Sequence, residues 1–299
     1  MPRDWERDFT AWSRGPDAAE QQRCENAENQ VREAIAASPK LRDRSIRVFT
    51  QGSYRNRVNV RRDSDVDIGV VCFDSYFEHA PDDNVRKALA ESTQPATYVY
   101  SAFKADLEEA LVARFGRSAV TRGSKAFDVK ATSYRVEADV APFFEHRRYT
   151  SVSSYVSGVE LIPDSGMPPR VRNWPEQHYE SGVEKNDACS RRFKRVVRVV
   201  KSLRNEMAAR AVQSATVTPS FLIECLVFNT PNYALQLDSY YSTVRATLAH
   251  LITNTVRDDL CSEWGEVSEL KYLFRPSQPW SRASAHAFLS DAWRYVGYI

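Results

Sequence analysis

The chain has 299 residues, of which 42% are hydrophobic and 27% charged, as expected of a globular protein with one large or two modest domains. No apolar run approaches the roughly 20 residues of a membrane-spanning helix, and the charged N-terminal segment predicts no secretory signal. The formal net charge of +2 disfavours stable binding to a long polynucleotide and leaves free nucleotides as candidate partners.

The first half of the sequence predicts short strands with helices around them. Trp5, Phe9 and Trp12 recur at helical spacing and predict a short first helix. Residues 73–97 are mainly polar and predict a loop that contains a short helix, 85–92. Apolar patterns predict the strands 45–50, 66–72, 119–122, 126–131 and 134–144, and the helices 17–38 and 98–115.

The five cysteines are scattered along the chain, and none belongs to a Cys-x-x-Cys pair. This spacing fits neither a disulfide framework nor a zinc site, so it favours a reducing compartment. We therefore expect a cytoplasmic protein that does not act at a membrane.

Two neighbouring segments carry the residues that most clearly indicate chemistry. Gly52 and Ser53 follow the first predicted strand, and Asp65 and Asp67 stand where the second one begins. Because side chains alternate between the faces of a strand, the two carboxylates point the same way and repel each other unless a cation lies between them. A hard ion such as Mg²⁺ or Mn²⁺ suits this oxygen pair. The Gly-Ser turn offers backbone N–H groups and a hydroxyl, which suit a phosphate chain.

A Gly-Ser turn followed by Asp-x-Asp on a strand resembles the signature of the polymerase-β-like nucleotidyltransferases. The resemblance implies an α+β fold, with a mixed sheet flanked by helices, and two metal ions held by three carboxylates. The third carboxylate is expected on a later strand of the same sheet, where Glu137 and Asp139 share a face. Asp139 is followed by Val-Ala-Pro and matches the superfamily pattern better, which leaves Glu137 as the runner-up.

The second half of the sequence is mainly helical. The stretch 151–172 is rich in Ser, Gly and Pro, although 155–162 is compatible with a further strand. This stretch predicts a boundary between a core lobe with an N-terminal helix, 1–160, and a mostly helical lobe, 161–299. A helix over 218–229 places Ser220 in its first turn, where free N–H groups favour an anion.

Two basic segments each allow two interpretations. The helix 191–204 has an apolar stripe and, beside it, a basic stripe formed by Arg191, Lys194, Arg195, Arg198 and Lys201. The segment 54–62 contributes Arg55, Arg57, Arg61 and Arg62. Either segment faces phosphates or is a solvated surface, and the sequence leaves both interpretations open.

Most of the chain resembles one branch of the superfamily, the bacterial CD-NTases of anti-phage signalling systems, which are related to animal cyclic GMP-AMP synthase. Two of the matching motifs, the Gly-Ser turn with its Asp pair and the Asp139 segment, occur in many nucleotidyltransferases. The matches more particular to this branch are 173–178, 182–186 and 201–207. The resemblance implies a C-terminal helical lobe that closes over the nucleotide site.

The family pattern also implies roles for residues near the strands. Two Mg²⁺ or Mn²⁺ ions would be bound by Asp65, Asp67 and Asp139. The triphosphate of the donor nucleotide would be held by Gln51, Gly52 and Ser53. One ion would activate an acceptor ribose hydroxyl and the other would neutralise the leaving pyrophosphate, while Asp139 assists deprotonation.

The pattern implies further contacts from the second half of the chain. Lys201 matches the family's helical lysine that reaches the phosphates, and Ser220 matches its phosphate-contacting serine. Phe221 stands where relatives often carry a base-stacking Tyr, a change that keeps the π face and loses the hydroxyl. Asn173 is expected to read a nucleobase edge where the lid meets the base pocket.

The function implied is the synthesis of a cyclic dinucleotide or oligonucleotide from ribonucleoside triphosphates, with release of pyrophosphate. Its product would be a second messenger that binds a downstream effector, and regulatory proteins are further candidate partners. A nucleotidyltransferase with a linear product would use the same catalytic residues and stays open. A catalytically silent nucleic-acid sensor of the same fold is the alternative from another class, although clustered carboxylates are a poor fit to it.

Overall fold

The computed structural model describes residues 3–60, 65–92 and 94–299. The chain divides into two compact units, each assembled from separate segments. The sheet unit contains the described residues of Asp17–Tyr54 and Ser64–Pro175, and the helical unit contains those of Met1–Pro16, Arg55–Asp63 and Glu176–Ile299. Arg61 and Arg62 of the predicted basic segment lie outside the described residues.

The strands of the described residues are β1 (Ile46–Thr50), β2 (Val66–His79), β3 (Val120–Arg122), β4 (Phe127–Val129), β5 (Ala138–Ser151), β6 (Ser154–Leu161) and β7 (Val171–Asn173). The helices are α1 (Trp5–Trp12), α2 (Ala18–Ala37), α3 (Gly52–Arg55), α4 (Asp83–Ser92), α5 (Tyr100–Phe115), α6 (Pro175–Ala188), α7 (Phe193–Ala209), α8 (Gln213–Thr216), α9 (Ser220–Phe228), α10 (Tyr240–Thr255) and α11 (Arg282–Val296).

The sheet unit is built on one mixed sheet with the strand order β1-β2-β5-β4-β3. The central strands β2 and β5 run parallel, whereas β1 pairs antiparallel with β2 and β4 pairs antiparallel with β5. The far half of β5 continues into a hairpin with β6, and β6 in turn pairs with β7. Helices α2 and α5 pack against each other beside this sheet, and Phe103, Leu107 and Leu111 of α5 are fully buried.

The second strand is longer than the sequence predicted. Residues 73–79 were expected to begin a polar loop, but they continue β2 as far as His79. After an irregularity between Cys72 and Tyr76, these residues pair with β5 from Glu145 onwards. Their polar side chains gave no strand signal, because this pairing with a distant segment, and not local propensity, makes them a strand.

The sheet unit also extends beyond residue 160, where the sequence placed the domain boundary. Strands β6 and β7 belong to the sheet, so this unit reaches Pro175. The first helix, which the sequence assigned to the core lobe, belongs to the helical unit because Phe9 is buried in that unit's core.

The helical unit is organised around α7. Helices α1, α8, α9, α10 and α11 all pack against α7. The apolar stripe predicted for this helix is buried, as expected, and consists of Phe193, Val196, Val197, Val200, Leu203 and Met207.

The members of the basic stripe of α7 differ in their exposure to solvent. Arg191 and Arg195 are exposed, whereas Arg198 and Lys201 are buried. The guanidinium of Arg198 donates hydrogen bonds to the backbone oxygens of Ser13 and Arg57. Arg198 therefore holds the N-terminal segment and the 55–60 segment on the helical unit, and it is not a solvated charge. Within the described ranges, no helix has the length and apolarity that a membrane crossing requires.

Gly69 generates a stability prediction. It lies opposite Phe49 on β1, and a Cβ at this position would meet the Phe49 ring at 2.4 Å. Gly69→Ala should therefore lower the free energy of unfolding by about 1–3 kcal/mol, the usual cost of overpacking a core. Urea unfolding followed by circular dichroism measures this change.

The matched control is Gly182→Ala on α6, where an added Cβ would come no closer than 3.7 Å to a neighbouring side chain. Alanine favours a helix more than glycine does, so this variant should be neutral or slightly stabilised. Equal stability of the two variants would contradict the assigned contact between Gly69 and Phe49.

Candidate active site

The Gly-Ser turn lies directly against the first carboxylate pair. The backbone N–H of Gln51 donates to the backbone oxygen of Asp67 over 2.9 Å. Gly52 has a φ of +63°, and a Cβ at this position would lie 2.0 Å from a carboxylate oxygen of Asp67. Both the backbone conformation and the space exclude any other residue type at position 52 without rearrangement. Ser53 follows, half-buried, in the same turn.

Three neighbouring strands bring carboxylates together. Asp67 on β2 is the register partner of Asp139 on β5, and Asp139 is also the register partner of Asp128 on β4. Asp65, which is exposed, lies two residues before Asp67. These four residues, Asp65, Asp67, Asp128 and Asp139, are called the carboxylate cluster below.

The structure separates the two candidates for the third carboxylate. Asp139 is half-buried on β5 and faces Asp67 across the strand pair. Glu137 is exposed and precedes β5, and its backbone oxygen accepts a hydrogen bond from the N–H of Val66. The register therefore favours Asp139 as the partner of Asp67.

The charges of the cluster affect one another. Burial, followed by the charges of Asp67, Asp128 and Asp65 and a hydrogen bond with Asp128, raises the pKa of Asp139 to about 6. A divalent cation would relieve this repulsion, and anionic oxygens are the ligands that Mg²⁺ and Mn²⁺ prefer. The donor chemistry thus fits such ions. Among the described residues, however, no three acidic side chains already converge on one point as a preformed cage.

The helical unit holds a second charged group, buried among α6, α7 and α9. The ammonium Nζ of Lys201 lies 3.5 Å from Oε2 of Glu224, and Nε2 of His178 lies 2.8 Å from Oε1 of the same carboxylate. Lys201 and Glu224 are each 3% exposed. We call Lys201, Glu224 and His178 the Lys201 cluster.

Burial and ion pairing compete within the Lys201 cluster. Burial lowers the pKa of Lys201, and the Glu224 carboxylate opposes this effect. Burial alone would raise the pKa of Glu224, but the charge of Lys201 and the hydrogen bond with His178 hold that pKa below its usual range. The carboxylate is therefore ionised at neutral pH and compensates the buried ammonium.

Ser220 and Phe221 begin α9, one turn before Glu224. The guanidinium of Arg204 donates to Oγ of Ser220, so the hydroxyl proton of Ser220 can point towards another acceptor. The ring of Phe221 lies between those of His178, at 5.7 Å, and Trp280, at 5.9 Å, and keeps a partly exposed face.

Thr218 does not cap α9. Pro219 is the N-cap residue, and the Thr218 hydroxyl donates to the backbone oxygen of Ser214. In the sheet unit, Asn173 is half-buried at the end of β7.

Known proteins resemble this chain along its whole length. Residues 180–297 match the family described as cGAS/DncV-like nucleotidyltransferase C-terminal helical domain. The cyclic dipyrimidine nucleotide synthase CdnE of Legionella pneumophila is 41% identical over 99% of each chain. The synthase of the same name from Cecembia lonarensis is 38% identical over 100% of each chain. The chain belongs to the CD-NTase family.

As a CD-NTase, the chain is an enzyme, a nucleotidyltransferase that synthesises cyclic nucleotides. The CdnE cyclic dinucleotide synthase of Elizabethkingia meningoseptica, solved with GTP and Apcpp, is 32% identical, has a TM-score of 0.80 and covers 98% of this chain and 99% of its own. The CdnE c-UMP-AMP synthase of Rhodothermus marinus has a TM-score of 0.84 at 26% identity, with coverage of 99% and 98%. The predicted α+β, polymerase-β-like fold with a C-terminal helical part is confirmed.

Several residues around these two clusters were missed from the sequence. Asp128 lies between the buried Phe127 and Val129, so alternation on a predicted strand could have shown that its side chain faces away from the core, but not that it pairs with Asp139. Glu224 and His178 gave no such signal, because they are 46 residues apart and only the packing of α6 on α9 brings them together.

The raised pKa of Asp139 gives a prediction for the CD-NTase without metal. Because the folded protein holds this proton more tightly than the unfolded chain does, the contribution of Asp139 to stability is complete below about pH 4 and is lost as the pH rises through about 6. Asp139→Asn cannot lose the proton. Its free energy of unfolding should therefore increase relative to the wild type between pH 4 and pH 7.5, as measured by urea unfolding in EDTA.

Glu137→Gln is the control, since it removes a carboxylate from the same segment, two residues before Asp139. An equally large pH-dependent gain in this variant would show that total charge, and not the carboxylate cluster, causes the effect.

Proposed function

We propose that this CD-NTase joins two pyrimidine ribonucleoside triphosphates into a cyclic dinucleotide. In each transfer a ribose hydroxyl oxygen forms a bond to the α-phosphorus of a triphosphate, the bond to the β-phosphate oxygen breaks, and pyrophosphate leaves. The first transfer joins the two nucleotides, and the second closes the ring and releases a second pyrophosphate. The single observation that carries the reaction is the pairing of Asp67 with Asp139 beside Gly52.

The choice of pyrimidines rests on the relatives. The two relatives at 41% and 38% identity are named cyclic dipyrimidine nucleotide synthases, whereas the one at 33% is named a cyclic dipurine nucleotide synthase. Asn173 is the residue we assign to reading the base, because an amide offers both a donor and an acceptor to a pyrimidine edge. Within the described part of the chain, its side chain makes no hydrogen bond that would compete with a base.

The carboxylate cluster is assigned to metal binding and proton transfer. Asp65, Asp67 and Asp139 would hold two Mg²⁺ or Mn²⁺ ions, which when bound supply positive charge to the attacking hydroxyl and to the leaving pyrophosphate. The carboxylate of Asp139 is the group we assign to take up the proton of the attacking hydroxyl. Gln51, Gly52 and Ser53 bind the triphosphate, since Gly52 lets the phosphates approach the backbone and Ser53 offers a hydroxyl donor.

The helical unit supplies the remaining contacts that we assign. The Lys201 ammonium and the Ser220 hydroxyl donate to triphosphate oxygens, and the exposed face of Phe221 stacks on a base. Positioning and charge stabilisation of this kind account for most of the rate of phosphoryl and nucleotidyl transfer. We further propose that the product is a second messenger in bacterial anti-phage defence, made in the cytoplasm and read by a downstream effector.

The reaction is tested by incubating the protein with ATP, GTP, CTP and UTP, singly and together, in Mg²⁺ or Mn²⁺. After phosphatase treatment, mass spectrometry should detect a cyclic dinucleotide that contains only pyrimidines. Asp65→Asn with Asp67→Asn should lower its formation by at least about a hundredfold, because several kcal/mol of charge stabilisation are lost. Glu137→Gln is the matched control and should retain activity.

Each other product would change the proposal in a specific way. A cyclic product with purines would refute the assigned base class but not the reaction. Products that are only linear would establish the alternative, linear-product nucleotidyltransferase.

The assignment of Asn173 to the base has its own test. Asn173→Ala should retain turnover and lose about tenfold in its preference between pyrimidine and purine triphosphates, the scale of one or two hydrogen bonds. An unchanged preference would refute its assigned role.

Metal binding has its own prediction, independent of turnover. At a concentration of about 100 times its dissociation constant, Mn²⁺ should stabilise the protein by about 2.7 kcal/mol and raise the melting temperature by several degrees. The Asp65→Asn, Asp67→Asn variant should show no such shift in differential scanning calorimetry, while Glu137→Gln should respond as the wild type does. A wild type that shows no shift up to 10 mM Mn²⁺ would contradict the metal assignment.

A further inference from the structure

Glu224 is a buried acid that the proposed reaction does not use. It lies on α9, is 3% exposed, and has Lys201 of α7 at one carboxylate oxygen and His178 of α6 at the other. We infer that Glu224, held in place by His178, is a positioning residue that keeps the Lys201 ammonium protonated and directed for the triphosphate. This inference rests on the nucleotide-binding role proposed for Lys201.

The ammonium of Lys201 is incompletely satisfied. It has three N–H donors, and among the described residues a single oxygen acceptor, Glu224 at 3.5 Å, faces it. A buried ammonium that uses only part of its hydrogen-bonding capacity is costly, so native structures seldom retain one without a reason. A phosphate oxygen could accept hydrogen bonds from the remaining N–H groups of Lys201. The hydroxyl of Ser220, on the same helix as Glu224, is a further donor.

The charge balance around Lys201 depends on Glu224. Among the residues that the structure describes, the other titratable or charged groups that face this region are Arg204 and Lys194 on α7, His178 on α6 and Cys225 on α9. Burial and Arg204 both oppose the charged ammonium, and Glu224 is the main group that favours it. Without the carboxylate, Lys201 would lose its proton at a lower pH, and a neutral amine attracts a triphosphate much less.

His178 fixes the orientation of the carboxylate. Its Nε2 atom lies 2.8 Å from Oε1 of Glu224, which leaves Oε2 for Lys201. The ring of His178 also contacts Phe221, to which we assigned base stacking. Two of the groups assigned to the nucleotide on this unit, Lys201 and Phe221, are therefore connected through one carboxylate and one imidazole.

A purely structural ion pair is the competing explanation, and pH separates the two. Binding of a UTP analogue with a non-hydrolysable α,β-imido bridge is measured by calorimetry at pH 7.0 and pH 9.0, in Mg²⁺, and every variant is compared with the wild type at the same pH. This comparison cancels the titration of the nucleotide itself. Glu224→Gln keeps the shape of the side chain and removes its charge.

The expected result is a pH-dependent loss. At pH 9.0 Glu224→Gln should bind the analogue about tenfold more weakly than the wild type, the scale of one lost charged hydrogen bond, and at pH 7.0 the difference should shrink to about twofold. Lys201→Met should be weaker than the wild type at both pH values. Adding Glu224→Gln to Lys201→Met should cause no further loss.

Glu266→Gln is the matched control. Glu266 is also buried in the helical unit, at 5% exposed, and pairs with a lysine, Lys271, at 3.8 Å. This variant should leave binding of the analogue unchanged at both pH values. If Glu224→Gln does not fold, His178→Asn replaces it. This change removes the imidazole that holds the Glu224 carboxylate and leaves the charge of Glu224 in place. It should weaken binding of the analogue about threefold.

The outcomes distinguish the inference from the function on which it rests. Lys201→Met with unchanged binding would refute the nucleotide role of Lys201, and with it the inference. Weakened binding in Lys201→Met together with wild-type binding in Glu224→Gln at pH 9.0 would overturn the inference and leave the proposed function standing. A loss in Glu224→Gln of equal size at both pH values would establish a structural ion pair and also overturn it.

Discussion

The parallel pairing of β2 with β5 is the constraint on which the carboxylate cluster depends. Asp67 and Asp139 face each other because the first half of this pairing, from Val66 to Cys72, keeps one register. The residues next to the acidic positions, Val66, Ile68 and Val140, are fully buried and fix that register. A slip of one residue would turn every side chain of one strand to the opposite face, which would bury a charge and expose an apolar residue at the same time. The same burial that stabilises the sheet therefore aligns the acids.

The two units handle charge in opposite ways. In the sheet unit, like charges lie together on neighbouring strands, and burial together with their repulsion raises the pKa of Asp139. In the helical unit, opposite charges are buried together, and the pKa of Glu224 is held down. The first arrangement suits the divalent cations that we propose for it. The second supplies its own counter-ion, because Glu224 lies beside Lys201, and we propose that its other N–H donors serve the triphosphate.

Local motifs were predictable from the sequence, and contacts across long separations were not. Gly52, Asp67 and Asp139 were predicted because each lies in a motif that is local in the sequence. These motifs are the Gly-Ser turn, the Asp-x-Asp strand and the Asp-Val-Ala-Pro segment, respectively. Asp128 lies on a predicted strand, but nothing in its segment indicates which strand it pairs with. The extension of β2 to His79 and the meeting of Glu224 with His178 follow from tertiary packing, which neither periodicity nor composition encodes. The buried part of the basic stripe on α7 was hidden for the same reason, since Arg198 is satisfied by backbone oxygens of Ser13 and Arg57.

The assembly of the helical unit from separate segments has a consequence for biosynthesis. Phe9 on α1 is fully buried against the core that contains Phe193 and Leu248, so the ribosome exposes its aromatic surface for more than half of translation before the partners emerge. Residues 3–16 must stay available throughout that time, and α1 would be exposed to chaperones that bind apolar segments. The native unit therefore forms only late in translation or after release, whereas the segments of the sheet unit are complete once residue 175 has been made. Truncating either end would remove core from the same unit.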